Sequence, residues 1–154
     1  VAVGFGGYLL LNLFVYGDPF AFLQIQSEHW FKSFAWPWVG IGGVVRRLGD
    51  PNLENVAVLG LAELATIGLG LVGTVYSLIH FRAAWTVWMA GSWVLFVSTA
   101  FVLSVPRYAI AMFPLFAWFA VLAERRWLGI AIGIVSVLLL LWFSGRFALG
   151  SWAF

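Results

Sequence analysis

The sequence predicts an all-α integral membrane protein: an up-and-down bundle of about five transmembrane helices, with an interfacial amphipathic helix after the first. The first observation is composition, because 64% of the residues are hydrophobic, only 9% are charged, and the mean hydropathy is +1.03. A soluble domain carries about 25% charged residues. The second is the aromatic share of 19%, including 10 Trp, which is typical of membrane interfaces. The third is a series of long apolar runs separated by short polar joints.

Composition also restricts the kinds of site. The chain has no cysteine, so a disulfide framework and a thiolate metal site are both excluded. The net charge of +2 gives no argument for a nucleic-acid partner. The two histidines, His29 and His80, are far apart and have few carboxylate neighbours, so we predict no metal and no cofactor.

The first apolar run, residues 1–16, is interpreted as the truncated tail of a transmembrane helix. It opens with Val1 and Ala2, without an initiator Met or a basic region, which fits neither a signal peptide nor a natural start. We therefore expect the chain to be a single membrane domain, 1–154, from the C-terminal part of a longer protein.

Residues 17–55 form the one long polar segment and hold seven of the charged residues. Asp18-Pro19 favours a helix start, since Asp accepts from free N–H groups and Pro is tolerated at the first helical position. A helix running from there to Trp36-Pro37 would be amphipathic and would lie along the membrane surface. Its two faces are Phe20, Leu23, Trp30, Phe31 and Phe34 on one side and Gln24, Glu28 and Lys32 on the other. Residues 39–48 predict a second short interfacial segment, closed by Gly49-Asp50-Pro51.

Residues 56–154 predict a region of four transmembrane helices. The runs 56–79 and 85–103 reach the length of about 20 residues that a span needs, and the runs 108–123 and 127–143 are slightly short. The joints between them are short, which favours antiparallel neighbours. Alternation then places the 17–55 segment and Arg107 on the same side of the membrane.

Several motifs resemble the PIG-V type of mannosyltransferase and its bacterial relatives, within the membrane glycosyltransferases called GT-C. They are Tyr16-Gly17-Asp18-Pro19-Phe20-Ala21-Phe22, Gln26 with Trp30, Ala35-Trp36-Pro37-Trp38, Ser104-Val105-Pro106-Arg107-Tyr108, Met112-Phe113-Pro114-Leu115-Phe116 and Gly150-Ser151-Trp152-Ala153. Their order and spacing match the C-terminal half of that family.

The resemblance implies transfer of a sugar, usually mannose, from a polyprenyl- or dolichyl-phosphate sugar to a lipid-linked or protein acceptor. It implies an extracytoplasmic reaction at a bacterial plasma membrane, or at the endoplasmic reticulum if the protein is eukaryotic. Lysine and arginine counts alone put five residues on the side of the 17–55 segment against three opposite, which weakly favours the cytoplasm. The resemblance also implies a catalytic Asp upstream of these residues, so no catalytic residue is assigned here.

Arg107 is the first candidate for binding the donor, with Tyr108 beside it in the same motif. A planar guanidinium at the membrane surface suits the oxygens of a lipid phosphate. The alternative is that Arg107 reaches the headgroups and anchors its helix. Gln26 and Trp30 are four residues apart on the interfacial helix, so they could hydrogen-bond and stack on a sugar. They could equally be a solvated amide and an interfacial aromatic.

Glu63 is the remaining candidate, because it falls inside the apolar run 56–79. An ionisable group at membrane depth is costly and indicates a substrate pathway, a side chain that reaches the interface, or a neutral, hydrogen-bonded side chain. Glu28 is expected to pair with Lys32, one helical turn away, and Arg46-Arg47 to anchor the surface. Two other classes of protein stay open: a transporter fragment, and a non-catalytic membrane interaction subunit.

Overall fold

The computed structural model describes the backbone of residues 2–50 and 56–151, and the side chains of the same ranges except 56–58. Over these ranges the chain is helical, with no β-strand. The helices are α1 Ala2–Tyr16, α2 Ala21–Trp30, α3 Pro37–Leu48, α4 Val56–His80, α5 Ala83–Val97, α6 Val105–Tyr108, α7 Phe113–Ala123 and α8 Arg126–Ala148, with a 3-10 turn at Ala109–Ala111.

Two helices in the described ranges are long and apolar enough to cross a membrane. They are Leu59–His80 within α4, of 22 residues, and α8, of 23 residues. Two bent pairs, α1 with α2 and the 105–111 turn with α7, bring the number to as many as four if each pair is one span. The prediction of an all-α chain is confirmed over the described ranges, and the predicted membrane spans are supported by these two to four candidates, which are fewer than the predicted five.

The first pair bends by 76° at Gly17, whose φ of +74° is easily adopted only by glycine. Asp18 lies at the predicted helix start, and its Oδ1 accepts the Phe20 N–H at 2.8 Å. The helix ends at Trp30, because Phe31 is left-handed with φ 53°. The prediction that it continues to Trp36 is therefore wrong.

Beyond Phe31 the chain is extended because it pairs with a distant segment. The Ala35 N–H donates to Ser98 O at 3.3 Å and the Ala100 N–H donates to Ser33 O at 2.9 Å. This pairing replaces the intrahelical bonds that a longer α2 would have made. It also ends α5 at Val97, so the prediction of a continuous helix over 85–103 is wrong in its last six residues.

Helix α3 begins at Pro37, two residues before the predicted segment 39–48, and packs closely against the loop after α5. A Cβ added to Gly40 would overlap the Thr99 carbonyl, so only glycine permits this approach. Trp36 and Trp38 stack at the start of α3 with ring centroids 5.2 Å apart. Of the predicted closing turn Gly49-Asp50-Pro51, Pro51 lies outside the described residues.

Helices α4 and α5 form a hairpin, and Trp93 joins them by donating its Nε1–H to Ile67 O at 2.9 Å. Two buried apolar clusters surround this hairpin. The first, toward the end with α3, is Val44, Ile67, Val97, Val102 and Val105. The second, toward α7, is Met89, Met112, Leu115 and Trp118.

The predicted span 108–123 is broken and not continuous. Residues 105–111 and α7 meet at 85°, with the change of direction at Met112 (φ −82°, ψ 61°). Pro114, the second residue of α7, lacks the N–H that would continue the earlier helix. Helix α8 then returns along α7 as one uninterrupted helix, longer than the predicted 127–143.

Candidate functional site

A cleft of about 180 Å³ lies where the end of α2 meets the start of α6. Four of the residues predicted to bind substrate border it: Gln26, Trp30, Arg107 and Tyr108. The predicted placement of Arg107 and Trp30 at the same end of the bundle is therefore confirmed. The other lining residues are Lys32, Leu103 and Ser104.

Lys32 is the cleft residue that sequence reasoning missed. Its Nζ donates to the Tyr108 hydroxyl at 2.9 Å and to the Leu103 carbonyl at 3.5 Å, and lies 4.7 Å from the Tyr108 ring centroid. The expected pairing with Glu28 is wrong: Glu28 instead accepts from Gln24 Nε2 at 2.8 Å. The left-handed Phe31 turns Lys32 away from the helix face on which Glu28 stands, and no local pattern signals that turn.

Arg107 is exposed on α6, whose first residues fix its direction. Its backbone N–H donates to Ser104 O at 3.2 Å, and its guanidinium carbon lies 5.8 Å from the Tyr108 ring centroid. The cleft thus holds one exposed guanidinium and one half-buried ammonium, separated by a phenol that contacts both. Such a set suits an anion with several oxygens, because both cations can donate to it at once.

Gln26 and Trp30 occupy the last two turns of α2, one turn apart, as predicted. Trp30 is 53% exposed, so part of its indole face is free to stack on a ligand. Gln26 also borders two further grooves, which makes its amide the junction of three cavities.

Both neighbouring grooves are mainly apolar. The larger, of about 490 Å³, shares Gln26, Lys32 and Tyr108 with the cleft. Its other lining residues are Leu23, Ser33, Phe34, Leu95, Phe96, Ser98 and Thr99. The second, of about 410 Å³, lies between α1 and α2 and reaches the cleft only at Gln26. A charged cleft that opens onto an apolar groove fits an amphiphile with an anionic head.

Glu63, the fifth predicted residue, does not line the cleft. It is only 2% exposed and its carboxylate accepts the backbone N–H groups of Ser104 and Val105, the latter at 2.9 Å. These two bonds match the hydrogen bonding expected under the third alternative of the sequence analysis, and Glu63 is not among the residues that line the cleft. Because Ser104 lines the cleft, Glu63 lies directly beneath it.

Arg47 faces inward and not toward the surface where an anchor was predicted. Its Nη2 donates to Val102 O at 2.8 Å and its guanidinium carbon lies 4.3 Å from the Phe101 ring centroid. Burial lowers the pKa of Arg47, and attraction to Glu63 opposes that shift. Arg46 is exposed and keeps the predicted surface position.

The carboxylate and imidazole groups near the cleft make local hydrogen bonds. Asp18 and Glu28 accept local hydrogen bonds, and His29 Nδ1 lies 3.3 Å from Ile25 O on its own helix. Over the described ranges, no three His, Cys, Asp or Glu side chains gather closely enough to hold a metal ion.

Comparison with known proteins gives no relative. No family model, no curated protein and no solved structure matches the chain. The site defines a class: a helical protein with helices long and apolar enough to span a membrane, and with a cationic cleft that adjoins apolar grooves.

Proposed function

We propose that the chain is the donor-binding membrane portion of a glycosyltransferase that uses a polyprenyl- or dolichyl-phosphate sugar, with mannose as the expected sugar and a lipid-linked acceptor. The observation that carries the proposal is the grouping of Arg107, Lys32 and Tyr108 beside Gln26 and Trp30 in one cleft. The resemblance of the motifs to PIG-V type mannosyltransferases supports the same assignment. A bacterial plasma membrane is the proposed location.

Each part of such a donor has a matching part of the cleft. The phosphate would lie against the guanidinium of Arg107 and the ammonium of Lys32, whose charge-assisted hydrogen bonds are the strongest available here. The sugar would meet the Gln26 amide and the indole of Trp30, since aromatic faces cover the apolar faces of sugar rings.

The isoprenoid chain would lie in the groove lined by Phe34, Leu95 and Phe96, because that groove shares its charged end with the cleft. Phe34 is 79% exposed and Leu95 is 73% exposed, so these side chains have apolar area left to cover. Contact of the isoprenoid chain with them would contribute through packing, because lipid tails already cover exposed apolar side chains and no transfer out of water is gained.

The proposal assigns donor binding to these residues and not the deprotonation of the acceptor. Glu63 is buried and already accepts two backbone hydrogen bonds, so it is not free to take a proton from an acceptor hydroxyl. We expect the general base of the complete enzyme to come from another part of the protein.

The test is binding of polyprenyl-phosphate-mannose to the chain reconstituted in lipid nanodiscs. Arg107→Ala should weaken binding at least about tenfold, as expected when one charge-assisted contact to phosphate is lost. Arg125→Ala is the matched control, because Arg125 is also an exposed arginine beside a helix start, at the joint between α7 and α8. Equal affinity of the two variants would remove Arg107 from the site and reject the proposal.

A further inference from the structure

The buried carboxylate of Glu63 has a role that its burial alone does not explain. Glu63 lies in α4, and both of its oxygens accept backbone N–H groups at the start of α6. The first N–H groups of a helix have no intrahelical partner, so the carboxylate supplies what the helix itself cannot. The cost of placing an ionisable group at this depth is thereby offset.

The backbone held by these two bonds is conformationally unusual. Ser104 has φ +67°, a left-handed conformation that residues with a Cβ adopt at a cost. Its carbonyl accepts the N–H groups of Arg107 and Tyr108, both at 3.2 Å. One continuous set of hydrogen bonds therefore runs from the Glu63 carboxylate through Ser104 to the two residues that enter the cleft.

A second side chain holds the same loop from the other side. Arg47, on α3, donates to the Val102 carbonyl at 2.8 Å and lies over the Phe101 ring. It also attracts Glu63 electrostatically. Four of the five residues before Pro106 are thus held by a carboxylate from α4 and a guanidinium from α3.

We propose that Glu63 is a positioning residue for the cleft: it touches no ligand and sets the place of Arg107 and Tyr108 through the backbone of Ser104 and Val105. The inference rests on the proposed phosphate-binding role of Arg107. It goes beyond that role by making the affinity of the cleft depend on a residue buried in another helix.

A double-mutant cycle tests this dependence. Binding of polyprenyl-phosphate-mannose is measured for the unchanged chain, Glu63→Gln, Arg107→Ala and the double variant in nanodiscs. We expect each single variant to weaken binding about tenfold and the double variant to lose no more than about twofold beyond Arg107→Ala, because residues that act through one another are not additive. Glu63→Gln keeps one acceptor oxygen and the side-chain volume. Additive losses would show that Glu63 acts independently of Arg107 and would overturn the inference.

Ser77→Ala is the matched control for loss of a buried polar group on the same helix. Ser77 is fully buried on α4 and its hydroxyl lies 2.8 Å from that of Thr86, away from the cleft. We expect Ser77→Ala to lower the thermal midpoint and leave donor affinity unchanged. A loss of affinity as large as that of Glu63→Gln would show a general effect of instability and overturn the inference.

Amide NMR separates failure of the inference from failure of the proposed function. Removal of the carboxylate in Glu63→Gln should move the amide proton resonances of Ser104 and Val105 upfield, and should shift those of Arg107 and Tyr108, whereas Ser77→Ala leaves all four unchanged. Unmoved resonances of Arg107 and Tyr108 would refute positioning by Glu63 even if the donor binds. Moved resonances with equal donor affinity for the unchanged chain and Arg107→Ala would keep the positioning and reject the phosphate site.

Discussion

Helix α8 and the segment between α5 and α7 satisfy their polar backbone groups in two different ways. Helix α8 does so within itself, and the segment does so through distant partners. Helix α8 runs for 23 residues without a break and has no buried residue among those described. The segment 98–112 contains the left-handed Ser104 and ends at a bend of 85°, and its polar groups reach distant partners, among them Glu63, Arg47 and Lys32. Inside a membrane, irregular backbone is tolerated only where protein buries it or where it lines a cavity. The irregular segment lies beside the cleft, and the regular helix does not.

The largest expected effect is on catalysis. The cleft should bind the donor, but the chain should not transfer its sugar. We expect the 154-residue chain in bilayers to transfer no sugar from polyprenyl-phosphate-mannose to lipid acceptors, since a positioned base contributes about 10²- to 10⁴-fold and Glu63 is not free to act as one. Radiolabelled mannose in the acceptor lipid measures this. Turnover that disappears in Glu63→Gln would place the base in this chain.

Removing Lys32 should have the next largest effect. Lys32→Met keeps the length of the side chain but loses the ammonium and its bond to Tyr108, so donor affinity should fall about 10- to 100-fold. Glu28→Gln, one turn earlier, changes a charge that faces Gln24 and should leave affinity within about twofold. If Glu28→Gln weakens binding as much as Lys32→Met, long-range charge and not contact governs the cleft.

Two glycine substitutions compare the stability of the two regions: Gly40→Ala beside the irregular segment and Gly133→Ala on α8. Gly40→Ala forces a Cβ into the Thr99 carbonyl and should destabilise the protein by about 1–3 kcal/mol. Gly133→Ala on α8 meets nothing within 4 Å and should be neutral or slightly stabilising. Thermal unfolding in detergent measures both variants. A destabilised Gly133→Ala with a neutral Gly40→Ala would reverse the comparison.

The smallest expected effect concerns the apolar groove. Phe34→Ala should weaken a long-chain polyprenyl phosphate about three- to tenfold, because packing contacts with the hydrocarbon chain are lost, and should leave a short-chain prenyl phosphate unchanged. Leu138→Ala, exposed on α8, should affect neither ligand. If Phe34→Ala leaves the long-chain affinity unchanged, the hydrocarbon tail lies elsewhere.

The regular helices could be predicted from local sequence and the irregular segment could not. Run length and apolarity identified α4 and α8, because each helix satisfies its own backbone and needs no distant partner. The early end of α5 and the extended chain after Phe31 depend on each other across 65 residues, since Ser98–Ala100 and Ser33–Ala35 exchange backbone bonds. The sequence of either segment alone does not predict its pairing with the other.

The residues of the candidate site also divide into those that the sequence could predict and those that it could not. Arg107, Tyr108, Gln26 and Trp30 could be grouped from their motifs and their predicted shared side, and one cleft contains all four. Lys32 could not be predicted as part of the site, because the direction of its side chain depends on the left-handed conformation of Phe31. Glu63 could be singled out by its rarity in an apolar run, while its partners were visible only once α6 was in place beside α4.

The bond between Lys32 and Tyr108 joins residues that are 76 positions apart. During synthesis, Lys32 therefore leaves the ribosome well before its acceptor exists, and the whole α4–α5 hairpin must be inserted before Tyr108 can approach. Lys32, two residues beyond the end of α2, has no Tyr108 hydroxyl to donate to through that interval. The cleft therefore cannot form before Tyr108 has been synthesised, and a chain cleaved before Tyr108 lacks the Lys32–Tyr108 bond that borders it.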